Sequence, residues 1–350
     1  MRVGTVRKAP MNLRSLWPSD GHLRILIGIF VVVAVVLSIV EPDFRQGDNL
    51  TSMALQVSDL GVLTLAMTLA MVVAGIDLSV VAVANLAAVT GTSVMQAMGG
   101  ENAAPGAAAA GALVMLAVGV LAGLVNGALI GYLRIPPILV TLATMTLWSG
   151  MATAVTHGVS LSGVPASLTN VGSLAIAGVP VPVIILIAAI VAVWLLLNHT
   201  RLGLKSYLLG ANYRASLFSG VDNARVGLTV YTTSGLLASV AGLISVMRTY
   251  SASPSYGSSY LLLAILIAVL GGVPVNGGSG RVSGVVLALV TLQMLATGFN
   301  MLLVGHGNSN FFESFAWGLL LLIVVSAGRV GLLRRGRRAP RQARAGEGRT

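Results

Sequence analysis

The chain has 350 residues, of which 56% are hydrophobic and only 9% charged, with a mean hydropathy of +0.91. Soluble domains carry about 25% charged residues, so this chain has too little polar surface to cover a water-soluble globule and a membrane is its solvent. The absence of cysteine excludes a disulfide framework or thiolate site, the four scattered histidines show no metal-ligand spacing, and the net charge of +11 sits at the termini and in one central loop, which argues against nucleic acid.

Residues 1–24 form a basic segment ahead of an apolar run over 25–40. That run ends at Glu41-Pro42-Asp43 without a small-residue cleavage pattern, so it reads as a retained first helix rather than a signal peptide. A bilayer needs about 17–25 apolar residues per helix. Ten runs qualify, at 23–40, 52–74, 79–98, 107–132, 136–156, 180–198, 226–248, 260–276, 282–304 and 312–329. With the N-terminus cytoplasmic, 19 of the 21 basic residues fall inside, and only Arg45 and Arg248 fall outside. The expected fold is all-α: a polytopic membrane helical bundle of about ten transmembrane helices with both termini cytoplasmic. Its transmembrane domain covers 25–328, and a basic tail over 329–350 can rest against anionic lipid.

Along the chain, Gly75-Ile76-Asp77-Leu78-Ser79 places an acid between two apolar runs. Asp77 can cap a helix beginning at Leu78, or it can face a cavity as a solute or gating group at a broken helix. Gly119, Gly123, Gly127 and Gly131 share one helix face. Helix packing, a dimer contact and a pore lining are all open to them. Pro136 and Pro137 open the next span, where a missing N–H costs little. Thr141, Thr144 and Met145 follow within one turn of each other. The hydroxyls can bind a polyol or return to their own backbone.

The 199–225 stretch is the longest polar segment between spans. A short helix over 211–219, ended by Gly220, leaves Leu217 and Phe218 exposed and flanked by Arg214 and Arg225. Such a patch fits a protein partner or an interfacial helix on the bilayer. The run from Gly271 to Arg281 holds five glycines in its first ten residues, yet the chain has no Gly-Lys followed by Ser or Thr. It therefore lacks a phosphate-binding loop of that type and reads as a tight cytoplasmic turn.

Taken in order, Gly75–Ser79, Asn126-Gly127, Ile135–Leu142, Thr200–Gly203, Leu209–Val221 and Gly271–Gly284 resemble the sugar permeases of bacterial ABC importers, the family of ribose, arabinose, xylose, rhamnose and autoinducer-2 permeases. The similarity runs from about residue 50 to 328. It implies a multi-pass inner-membrane permease, not an enzyme, that carries a monosaccharide or sugar-like solute. Its implied partners are a second permease subunit, identical or homologous, a cytoplasmic ABC ATPase, an extracytoplasmic sugar-binding protein and membrane lipid. No cofactor binds this chain, since the partner ATPase uses the ATP. The resemblance makes the 211–219 helix a coupling helix, with Gly210, Asn212, Arg214, Ala215, Leu217, Phe218 and Gly220 as its residues. Asp77, Ser79, Asn85, Asn126, Thr141, Thr144 and Met145 are the candidate pathway residues.

Departures from the family pattern are Val80-Val81-Ala82 after Ser79, Gly284-Val285 after the glycine-rich turn, and Asp59 within the second span. The rival function is an ion-coupled secondary transporter. Such carriers need intramembrane relays, and only Asp59, Asp77 and Glu313 lie near membrane depth. A membrane-embedded enzyme fits less well, since no nucleophile elbow or zinc-binding helix motif is present.

Overall fold

The computed structural model describes residues 21–302. The helices in chain order are α1 (Gly21–Val40), α2 (Gly47–Val72), α3 (Val80–Ala97), α4 (Pro105–Gly131), α5 (Pro137–Thr156) and α6 (Ala166–Ser173). They continue as α7 (Val181–His199), α8 (Arg201–Ala211), α9 (Tyr213–Phe218), α10 (Asn223–Thr249), α11 (Tyr260–Leu270) and α12 (Val282–Leu302). A two-residue hairpin, β1 (Ala175–Ile176) with β2 (Val179–Pro180), is a minor addition to a helical molecule.

Among the described residues, eight helices are long and apolar enough to cross a membrane. These are α1 to α5, α7, α10 and α12. The span expected over 260–276 is helical only over the 11 residues of α11, about 16 Å and half a bilayer. Gly272, at φ +90°, and Pro274 stop it there. The tenth expected span, Glu313 and both terminal segments lie outside the described residues. The expected 199–225 loop is two helices, α8 and α9, and α10 begins within it.

The centre is built from α2, α10, α3 and α12, whose apolar windows are mostly buried, while α1, α4, α5 and α7 present most of theirs outward. α1 buries only Leu26 and Leu37. In a lipid solvent this inversion costs nothing, because an apolar outer face is already in a medium as apolar as itself. The four glycines of α4 all face α10. A methyl at Gly127 would lie 2.7 Å from Leu228 Cα, and one at Gly131 would lie 2.5 Å from the Ala224 carbonyl. Their seam is thus an internal helix contact that lets two backbones touch.

Candidate functional site

The chain breaks its helix between α2 and α3. Ala74 takes φ +61°, and the Gly75 N–H returns to the Ala70 carbonyl at 2.9 Å. A methyl at Gly75 would strike the Tyr231 hydroxyl, so glycine is required for α10 to approach the break. Asp77 follows, 2% exposed. Its Oδ1 accepts from the Ser79 N–H at 3.1 Å and the Ser79 hydroxyl at 2.6 Å, and its Oδ2 accepts from Ser234 of α10 at 2.9 Å. Asn126 of α4 donates to Ser79 Oγ at 2.8 Å. Asp77 therefore does not cap a helix starting at Leu78. The helix starts at Val80, and the carboxylate binds the turn before it and ties three helices together.

Thr141 reaches the same break, donating to the Ile76 carbonyl at 2.9 Å as well as to Pro137 of its own helix. Thr144 returns its hydroxyl to the Val140 carbonyl at 3.0 Å, and Met145 is half-buried beside it. Asn85 lies elsewhere. Its amide donates to the carbonyls of Pro254 at 3.1 Å and Tyr256 at 2.9 Å. The structure thus gathers Asp77, Ser79, Asn126 and Thr141 at the break and leaves Asn85, Thr144 and Met145 apart from it. Two buried polar atoms there, Tyr231 OH and Asn126 Oδ1, have no hydrogen-bond partner.

Beneath the break, Asn212 caps α9 through its Oδ1, which accepts from the N–H groups of Arg214 and Ala215, each at 3.0 Å. The helix ends before Gly220 at φ +75°. Ser216 is buried and bonds Asn223, the first residue of α10, at 2.9 Å. The opposite face is open, with Leu217 46% and Phe218 92% exposed. Gly210 packs against the last turn of α2 and against Gly278, whose N–H donates to the Val72 carbonyl at 2.9 Å. Tyr207 donates to the Gly280 carbonyl at 3.0 Å. Burial pushes its hydroxyl above the usual tyrosine range, opposed by the nearby Arg281 charge. The glycine-rich turn is therefore the joint that clamps α8 to the end of α2. A cavity of about 530 Å³ lies between this joint, the Arg134–Pro137 turn and α10, with Ala74, Asn212 and Tyr231 in its wall.

A second buried carboxylate was legible only as two separate oddities. Asp59, the acid in α2, pairs with Arg248, one of the two basic residues outside the cytoplasmic set. The Arg248 guanidinium lies 2.5 Å from Asp59 Oδ1, with side chains 17% and 1% exposed. Tyr256 donates to Asp59 Oδ2 at 2.8 Å. The signal was present in each residue; the pairing needed the fold.

The fold and this arrangement define a multi-pass α-helical membrane permease. The chain belongs to the family described as the branched-chain amino acid transport system / permease component, which matches residues 49–325. It is 33% identical over 325 residues to the ribose import permease protein of Bacillus subtilis (strain 168), covering 87% of this chain and 93% of that one. The ribose import permease protein of Escherichia coli (strain K12) is 35% identical over 86% and 91% of the two chains. The D-allose transport system permease protein of the same strain is 29% identical over 92% and 95%. No solved structure matches the chain.

Proposed function

We propose that this chain is the membrane-spanning permease of an ABC-type importer, forming the pathway for a monosaccharide or sugar-like solute. The observation that carries it is the similarity along nearly the whole chain to ribose and allose permeases. The family description names amino acids, but these relatives are sugar permeases, and sugar is the class adopted. Energy comes from a separate cytoplasmic ATPase, so this subunit binds no cofactor and catalyses no reaction. A sugar-binding protein delivers solute on the outer side, and a second permease subunit completes the pathway.

α9 is the coupling helix. Its Phe218 and Leu217 offer an uncovered apolar knob beside Arg214, suited to a groove in the ATPase. Its buried side is bonded to the start of α10 through Ser216 and Asn223. Through Gly210 and Gly278 the preceding helix α8 touches the end of α2. Force on α9 therefore reaches α10, which bonds Asp77 through Ser234, and the end of α2 that leads into the break, across the walls of the 530 Å³ cavity. Asp77, Ser79, Asn126 and Thr141 form the hinge at which that force acts. The ion-coupled alternative loses support from the pairing of Asp59 with Arg248, which neutralises one of its few candidate relay groups.

Deletion of residues 213–219 is expected to abolish co-purification with the ATPase while leaving membrane insertion intact. Retained co-purification would sink the coupling assignment. ATP-dependent D-ribose and D-allose uptake by the assembled complex tests the solute class.

A further inference from the structure

The segment between α10 and α11, residues 250–259, is the least regular stretch in the centre of the bundle and one of the most heavily tethered. Asn85 of α3 holds two of its carbonyls, and Tyr256 is bonded to Asp59 of α2. Ala252 exchanges two backbone bonds with Leu161, at 2.8 and 2.9 Å, and Tyr250 meets Ser173 of α6 at 2.9 Å. Burial and the Asp59 carboxylate hold the Tyr256 hydroxyl above the usual tyrosine range, so it remains a donor.

Two independent helices give the segment the same depth. Asp59 lies twelve residues after Gly47, where α2 begins, and Asn85 lies twelve residues before Ala97, where α3 ends. At about 1.5 Å per residue, both anchors sit about 18 Å below those helix ends. The segment is recessed into the protein and is not a surface turn. In a membrane protein, non-helical backbone at such depth is tolerated where it is buried or lines water.

It is not fully buried, because Ser255, Ser258 and Ser259 are exposed. Residues 249–260 comprise five Ser, three Tyr, one Thr and three residues without a hydroxyl, with no charge. The Tyr256 and Tyr260 rings meet edge to face at 5.9 Å. Hydroxyls that can both donate and accept, set beside aromatic rings on a fixed backbone, suit a neutral polyhydroxylated ligand.

We propose that residues 251–259 form the outward-facing wall of the solute pathway and contact the polyhydroxylated solute directly, with Asn85 and Asp59 as positioning residues that hold this wall in place. The proposal rests on the sugar-importer reading. The chain has no cysteine of its own, which makes the test direct. S255C, S258C and S259C are each assembled with the ATPase and binding protein in right-side-out vesicles and treated with a membrane-impermeant charged thiol reagent. The expected result is modification of the permease from outside, loss of most D-ribose uptake on modification, and slower modification when D-ribose and its binding protein are present.

Positions closed to the reagent, or modified with uptake unchanged, would overturn the proposal. Absence of D-ribose and D-allose uptake by the unsubstituted complex would instead count against the sugar reading, and the accessibility result would still stand. Asn85→Ala is expected to change the modification rate of S255C while leaving that of a control S52C, on the outer part of α2, as it was. An unchanged rate at 255 would remove Asn85 from the positioning role.

Discussion

The two buried carboxylates are held in opposite ways. Asp59 meets a guanidinium and a phenol, whereas every partner of Asp77 is neutral: two serine hydroxyls and one backbone N–H. Both are organised by α10, through Ser234 for Asp77 and Arg248 for Asp59. Those residues are 14 positions apart, about 21 Å along the axis and close to four full turns, so they share one face of the helix. The Asp59 layer cancels its charge and ties α2 to α10 and to the segment between α10 and α11. The Asp77 layer leaves a carboxylate without a cation at a helix break. One arrangement suits a fixed strut, the other a hinge whose bonds can be exchanged at small cost.

The largest effect is expected where the charge balance is broken. Arg248→Met leaves the Asp59 carboxylate buried without its counter-charge, at a cost of about 3–5 kcal/mol. The fall in melting temperature of the purified chain in detergent reads it. The double change with Asp59→Leu is expected to recover most of the loss. If Arg248→Met costs no more than a change at Asp77, pairing is not what separates the two layers.

Asp77→Asn is expected to cost about 2 kcal/mol, since it keeps the shape but weakens the bonds from Ser79 and Ser234. It should also remove most solute uptake at normal expression. Wild-type uptake in this variant would make Asp77 a replaceable tie and erase the distinction between strut and hinge.

The smallest pair sharpens the comparison. Ser234→Ala strips Asp77 Oδ2 of its donor and is expected to cost about 1.5 kcal/mol, whereas Tyr256→Phe leaves Asp59 still paired with Arg248 and is expected to cost about 1 kcal/mol. The Tyr256 value has a defined pH dependence. Its acid form is favoured in the fold, so the contribution is complete below the ordinary tyrosine pKa of about 10 and is lost progressively as the pH rises from there through the raised folded value. Melting curves should therefore show the same Tyr256→Phe difference from pH 6 to about pH 9.

Local patterns carried much of the architecture. α5 opens at Pro137, one residue from its expected start, because proline fixes a helix entrance. α9 is capped by Asn212 and stopped by Gly220, close to the helix expected over 211–219, and its exposed Phe218 follows from spacing alone. The half-length α11 was only partly legible: the expected span over 260–276 overlapped the glycine-rich turn that begins at Gly271, and the fold shows that the helix stops at that turn, where Gly271 and Gly272 pack on α12 and the first helix. The glycine face of α4 had several possible partners, and only the contact with α10 selects one. Asn85 was grouped with Asp77 among the candidate pathway residues that follow from the family resemblance, yet α3 carries it to a different layer.

Composition, run length and the placement of basic residues by themselves determined that this is an all-α protein of the membrane, since bilayer solvation acts on each segment without reference to the others. The tertiary structure decided which polar groups meet. Asp59 and Arg248 are 189 residues apart, and Asp77 and Ser234 are 157 apart. Such pairs have no local signature, because their stabilisation exists only once packing has removed both partners from water and brought them within bonding distance.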